Sequence, residues 1–395
     1  MKQKYELLAP AGDMSCLVAA VNAGADSVYL GLKEFSMRAT ARNFSIKELE
    51  EVRKICKEHK VKIYLTVNTI IYQDELKKIE KILQEIKKKK LVDAVICWDL
   101  SVVELCKKLK ISFHISTQAS ISNSSSANFY KKLGAERVVL ARELSLKQIK
   151  ELIKKTKVQV ETFCHGALCV SESGRCFTSQ FLFNKSANRG ECLQPCRRTY
   201  TIRDEDNNEL KLENNRVMSP KDLCTLPFIE KMKAAGIKAY KIEGRNRDAR
   251  YVDSVVRVYR KALDKKLTRK EVEEGLKELD KVYHRGFSSG FFLGTPTNDD
   301  FSKQENSSSK EKKHFVGKVV HFFPNVSVAA IKVSSEFKVG EELIFLGDKT
   351  GVVREKVVRI EINRKPVDKA EKGQEVGIKV SSAVKVGDEV YKIVR

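Results

Sequence analysis

"ELLAPAGDMSCLVAAVNAGADSVYLG", residues 6–31, carries a strand, a helix and a second strand in one short stretch. Tyr5–Leu8 and Ser27–Leu30 are apolar runs of strand length, and between them Met14–Ala23 repeats its apolar residues at three and four positions, the period of a helix with one buried face. A helix between two apolar strands is the unit that builds a parallel sheet. The same rhythm continues over the first 280 or so residues. Further strands are predicted at Val61–Val67, Ala94–Cys97, Ser112–Ile115, Arg137–Leu140, Gln159–Phe163, Arg216–Met218 and Ala239–Ile242. Helical periodicity marks Ile46–His59, Asp74–Lys89, Ser101–Leu109, Ser126–Leu133, Ser145–Thr156 and Leu226–Ala235, several of them opening on Ser or Asp, the residues that cap helices. Eight or nine strands, each followed by a helix, suit an α/β fold of the (β/α)8 TIM-like barrel type better than an open sheet, and the chemistry of such a barrel sits on the loops after its strands.

After the barrel the composition changes. "DDFSKQENSSSKEKK", residues 299–313, is polar and Ser-rich and reads as a linker. Beyond it, "FVGKVVHFF", "VSVAAIKV", "ELIFLG", "GVVREKVVRIEI", "GQEVGIKV" and "EVYKIV" are short strands separated by Gly and charged turns, the pattern of a small β-barrel. The expected organisation is a barrel over 1–298, a linker over 299–314 and a C-terminal β-barrel domain over 315–395, with RNA binding or a purely structural role as the two uses of the latter.

The 395 residues are 42% hydrophobic and 32% charged, the balance of a soluble globular protein with enough apolar material for two cores. No apolar run approaches the roughly 18 to 20 residues of a membrane span and the opening residues carry no signal-peptide hydrophobic stretch, so a cytoplasmic protein without membrane contact is expected. Lys and Arg number 75 against 52 Asp and Glu, a net charge of +23 that suits a polyanionic partner such as RNA. A solvated lysine-rich surface gives the same excess, and Lys87–Lys90 has that character.

Ten cysteines in a chain of this kind argue against a disulfide framework. Cys16, Cys56, Cys97 and Cys106 fall singly in apolar patterns and read as small core residues. Cys164, Cys169, Cys176, Cys192 and Cys196 instead crowd one Gly- and Ser-containing stretch, with Cys224 further on. Six, fifteen and three residues separate Cys169, Cys176, Cys192 and Cys196 in turn, which matches neither a ferredoxin nor a zinc ribbon. Three readings stand: a four-thiolate iron–sulfur or zinc site, unligated thiols in a tight loop, or a catalytic Cys164 beside His165.

"ETFCHGALCVSESGRCFTS", residues 161–179, resembles the signature of the U32 family, once called collagenase-like peptidases: Glu161, Phe163, Gly166, Cys169, Ser173, Gly174, Cys176 and Ser179 stand in family-like order. The opening stretch, "NRGECLQPCR" at 188–197 and "KIEGRNRDARYV" at 241–252 extend the resemblance over the whole barrel, and the C-terminal β-domain is similar to that of RNA-acting members. The resemblance implies that the peptidase name misleads. Relatives serve 5-hydroxyuridine formation at the tRNA wobble position, 5-hydroxycytidine formation in 23S rRNA, and oxygen-independent hydroxylation in ubiquinone synthesis. It implies a [4Fe–4S] cluster as cofactor on Cys169, Cys176, Cys192 and Cys196, with Cys224 as the alternative fourth ligand.

Strand ends offer Asn68, Asp99, Gln118, Arg142, His165, Lys221, Asp222, Glu243 and Arg245 as further site residues. Glu243, Arg245, His165 and Arg142 are the expected catalytic set. Arg245 can hold a carboxylate or phosphate through two donors, or pair with Glu243 as a structural bridge. Prephenate, an anionic co-substrate linked to the tRNA-hydroxylating branch, suits such a clamp. His59 and His284 lie in charged helical contexts and are expected at the surface. No His-Glu-x-x-His or complete phosphate loop is present, and Gly347-Asp348-Lys349-Thr350 only imitates the end of the last. The expected activity is iron–sulfur-dependent hydroxylation of tRNA at uridine 34. The alternatives are 23S rRNA cytidine, a quinone precursor, a protease and a non-catalytic partner protein. The resemblance leaves the electron donor open and allows a partner protein or a homo-oligomer, because some relatives work in pairs.

Overall fold

The computed structural model describes residues 5–210, 218–304 and 306–395. Eight parallel strands form the barrel: β1 (Glu6–Pro10), β2 (Ser27–Gly31), β3 (Lys62–Val67), β4 (Ala94–Cys97), β5 (Phe113–Ile115), β6 (Arg137–Val139), β7 (Gln159–Gly166) and β8 (Ala239–Ile242). Each pairs with the next except that β8 lies between β7 and β1 and closes the ring. The TIM-like barrel read from the sequence is therefore the fold.

The helices follow the predicted periodicity: α1 (Met14–Asn22), α2 (Ile46–Glu58), α3 (Leu76–Lys89), α4 (Leu100–Lys108), α5 (Ser124–Lys132) and α6 (Leu146–Lys155). Their starts are fixed by side-chain caps that satisfy otherwise orphaned N–H groups. Asp13 accepts from the Cys16 amide at 2.8 Å, and Ser45 with Glu48 and Ser145 with Gln148 form reciprocal capping boxes. Three helices escaped the sequence reading: α7 (Thr178–Phe183), α9 (Ala249–Asp264) and α10 (Arg269–Asp280). α8 (Ile229–Ala234) is a shortened version of the predicted 226–235 helix. α9 packs on α1 and buries Tyr251 and Tyr259 completely, each contributing about 2–3 kcal/mol of apolar burial.

The predicted strand Arg216–Met218 lies largely outside the described residues. A short strand at Asp222–Cys224 stands nearby, and it is no barrel stave: it runs antiparallel to the end of β7, with Leu223 opposite Gly166 and Cys224 opposite His165. The chain thus leaves the barrel after β7, sets residues 167–197 along the cavity at its rim, and re-enters only at β8.

The lumen of the barrel holds charge. Glu6, Arg137, Glu161 and Lys241 form a chain of ion pairs through it, at 2.6 Å for Arg137–Glu6, 2.9 Å for Arg137–Glu161 and 3.2 Å for Lys241–Glu161. A small inner cluster of Leu8, Tyr29, Tyr64, Ala94 and Ile96 accompanies it, while the main apolar core lies between strands and helices. Cys16, Cys56, Cys97 and Cys106 are all buried there, as their patterns predicted.

The C-terminal unit is antiparallel throughout: β9 (Lys312–Phe323), β10 (Val328–Val333), β11 (Glu342–Gly347), β12 (Gly351–Lys356), β13 (Ile360–Ile362), β14 (Lys365–Val367), β15 (Glu375–Lys379) and β16 (Glu389–Val394), in the spatial order β12-β11-β16-β9-β10-β15-β13-β14. It has its own core, including Val316, Ile331, Phe337 and Phe345, yet Ile344 and Leu346 join the core of the barrel. Gly347 ends β11 and residues 348–350 are the turn to β12, not a phosphate loop. The stretch expected as a linker is strapped to the barrel: Ser308 N–H donates to His284 O at 2.7 Å, and buried Glu311 pairs with Arg250. Arg42 reaches Asp348 at 3.5 Å, placing the β11–β12 turn beside the loop that follows β2. Among the described residues no helix is long and apolar enough to cross a membrane.

Candidate active site at the barrel mouth

Strand β8 supplies the centre of the site. Lys241 of β8 and Glu243 and Arg245 of the segment that follows it all line a cavity of about 290 Å³ at the C-terminal end of the barrel. Arg38 lies 3.3 Å from one oxygen of Glu243 and Arg142 3.3 Å from the other. Burial alone would raise the Glu243 carboxyl, but Arg38, Arg142, Arg245 and Lys241 outweigh it and hold it at about 2. Glu243 is therefore a fixed anion at neutral pH.

Arg142 is oriented twice more. Its Nη1 donates to Ala167 O at 2.8 Å, and its guanidinium carbon sits 3.7 Å from the centre of the Phe163 ring. Arg245 does not bridge to Glu243. Its Nη1 donates to Ser36 Oγ at 2.6 Å and Thr66 Oγ1 at 3.1 Å, neutral partners, and burial pushes its pKa down to about 10. Among the described residues it has no carboxylate within ion-pair distance, so it remains a buried cation facing a cavity.

The opposite wall is sulfur. Cys169, Cys176, Cys192 and Cys196, brought by the loop between β7 and β8, all line the same cavity, whereas Cys224 is buried in its short strand with Tyr259 Oη 3.8 Å from its sulfur. Burial raises the Cys196 thiol, Arg197 opposes it, and neighbouring Cys169, Cys192 and Cys176 raise it further. For Cys176 burial is outweighed by hydrogen bonds from Ser171 and Thr178, and its pKa falls, favouring thiolate. Among the described residues no three His, Cys, Asp or Glu side chains converge closely enough to hold one metal ion. Four thiolates on a single zinc must lie within about 4 Å of one another.

The other expected site residues divide. Asn68 and Gln118 line the cavity, tied together through Ser116, whose hydroxyl donates to Gln118 and lies 3.5 Å from Asn68 Nδ2. Asp99 instead caps α4, accepting from the Ser101 amide at 2.9 Å. Lys221 packs against Gly286, and Asp222 is buried 3.9 Å from Arg285, both away from the cavity wall. His165 also leaves the site. The pairing of β7 with β8 slips at Cys164, so that Phe163 faces Lys241 but His165, not Cys164, faces Ile242. One extra residue reverses the face of everything after it. His165 consequently points outward, 3.3 Å from Tyr259 Oη, and burial followed by the nearby His284 depresses it to about 3. The Cys164–His165 dyad is thereby removed, since both side chains are buried outside the cavity. His284, expected at the surface, is buried as well, stacked on Phe287 at 4.3 Å and 3.0 Å from Asp280. His59 is exposed as expected.

Arg38, Lys241 and Arg197 escaped the sequence reading. Lys241 carried a signal, since it is a charged residue inside an otherwise apolar strand just before Glu243; Arg38 sits on a loop and Arg197 in a single 3-10 turn, where no period exists to reveal them.

The model of the family described as peptidase family U32 matches residues 12–302. The chain is 43% identical to an uncharacterized protease of Methanocaldococcus jannaschii, covering 99% of this chain and 98% of that one. It is 38% identical to a collagenase of Porphyromonas gingivalis over 98% and 97% of the two chains. It is 36% identical to tRNA hydroxylation protein P1 of Bacillus subtilis over 87% and 84%. With strands β2 to β8 and the four cavity-lining cysteines inside the matched span, the chain belongs to the peptidase U32 family.

Proposed function

We propose that this protein takes part in RNA hydroxylation, with the wobble uridine of tRNA as the modified base. One observation carries the reading: four thiols and an arginine-held carboxylate share a single cavity at the C-terminal end of a barrel. The donor set, all sulfur and soft, fits a [4Fe–4S] cluster held by Cys169, Cys176, Cys192 and Cys196. Such a cluster supplies electron transfer, which no side chain provides. The chain's own residues do the rest. Arg245, with its neutral partners, is a ready site for the carboxylate or phosphate of an anionic co-substrate such as prephenate. Glu243, ionised across the physiological range, keeps Arg38 and Arg142 in place and accepts hydrogen bonds from a bound base or hydroxyl; a carboxylate near 2 is too weak a base to drive proton abstraction at neutral pH. The +23 charge supports a polyanion as partner, and a loop nucleotide can be unstacked into the mouth at low cost.

The protease reading has less to rest on. The cavity wall holds one carboxylate, several guanidinium groups and the thiols, but no imidazole among the described residues. The test is mass spectrometry of nucleosides from a strain lacking the gene. Loss of 5-hydroxyuridine-derived nucleosides from tRNA is expected. An unchanged RNA nucleoside profile overturns the proposal, and loss of 5-hydroxycytidine from 23S rRNA transfers it to that substrate.

A further inference from the structure

Helix α7 is built inside out. Among its six residues Ser179 is the buried one, its hydroxyl accepting from the Leu193 amide at 3.1 Å, while Phe181 and Leu182 are 83% and 56% exposed. Phe177, immediately before the helix, is 61% exposed, and its ring lies 6.0 Å from that of Phe181. Val170 and Leu193 of the same loop are exposed as well. Single exposed apolar residues are ordinary, but two neighbouring phenylalanines on a polar-inward helix form a patch that marks an interaction surface.

Its position is informative. Phe177 follows Cys176 directly, and Thr178 and Ser179 line the cavity, so the patch stands on the rim of the candidate site. Positive charge is interleaved with it. Residues 169–198 carry five Arg and Lys against two Asp and Glu. Arg198 lies over the Phe183 ring at 5.1 Å, and Arg189, fixed by its pairing with Glu75, lies over the exposed Tyr72 ring at 4.7 Å. Exposed flat rings and guanidinium groups on one rim match a polymer of aromatic bases joined by phosphates, and suit a duplex poorly because its bases are already stacked.

We infer that Phe177 and Phe181 form a stacking platform for unpaired bases of a single-stranded RNA loop, holding the strand so that a flanking nucleotide enters the cavity. This rests on the RNA reading above and adds to it which surface meets the RNA and in what state. The test uses the full chain with an RNA stem-loop and with a blunt duplex of the same stem, at one fixed salt concentration. The Phe177→Ala/Phe181→Ala variant is expected to bind the stem-loop about 10- to 100-fold more weakly, with duplex binding unchanged. Phe177→Tyr/Phe181→Tyr restores stem-loop binding, because stacking needs only the ring. Stem-loop binding by the alanine variant equal to wild type overturns the platform alone. So does a change of oligomeric state in place of RNA affinity, which would make the face a contact between copies. Wild-type protein that binds no stem-loop overturns the RNA reading and the platform together.

Discussion

Arg142 touches Glu243 at 3.3 Å while its guanidinium lies 3.7 Å above the centre of Phe163, so a residue after β6 is locked between strand β7 and the residue that follows β8. That clamp, completed by Arg38, makes the mouth of this barrel a fixed electrostatic device.

Replacing Glu243 by Gln leaves Arg38 and Arg142 without their anion. A loss of about 2 kcal/mol or more at pH 7 is expected, tempered by the partial exposure of Arg38. Because the folded pKa is depressed from 4.5 to about 2, the contribution is complete above pH 4.5 and disappears as pH falls through 2. Denaturant unfolding of wild type and variant should therefore show a gap at pH 7 that closes below pH 4.5. A gap independent of pH contradicts the clamp.

Anaerobically purified protein is expected to carry about four iron and four sulfide per chain. Cys169→Ala, Cys176→Ala, Cys192→Ala and Cys196→Ala should each abolish or strongly reduce the iron, whereas Cys224→Ala retains it, because Cys224 is buried away from the cavity. Iron lost with Cys224 rather than Cys196 would reassign the fourth ligand. Stoichiometric zinc would replace the cluster by another site.

Gly31 guards Arg245. A Cβ added there falls 2.2 Å from Arg245 Nη1 and 2.4 Å from Ser36 Oγ. Gly31→Ala should displace the guanidinium and raise KM for an anionic co-substrate about tenfold or more, and Arg245→Lys should do the same by losing the two-donor fork. Retention of KM in both variants would show that Arg245 holds no anion.

His165 is expected to act only in packing. His165→Ala should cost about 3 kcal/mol, in the range of buried ring deletions. The imidazole's folded pKa of about 3, below its usual 6.5, stabilises the fold above pH 6.5, a contribution lost progressively as pH falls from 6.5 toward 3. The activity–pH profile of a His165→Gln variant should keep its wild-type shape, and a lost titration step near neutrality would return His165 to the chemistry.

What the sequence determined by itself was whatever depends on short-range period and composition. Alternating strand and helix patterns specified the barrel, apolar placement picked out four core thiols but missed that Cys164 and Cys224 are core residues too, and Glu243 with Arg245 stood out just beyond a strand end. Tertiary structure decided what depends on register and long-range pairing. The slip at Cys164 turned His165 out of the site, a displacement of one residue that no local pattern records. The antiparallel pairing of Asp222–Cys224 with the end of β7 buried Cys224 and left Cys196 with the other three thiols on the cavity wall. Arg38 reached Glu243 from a loop some two hundred residues away. Strand identity is a local free-energy preference, whereas the face a strand presents and the partner a loop finds are settled only when the ring of eight strands closes.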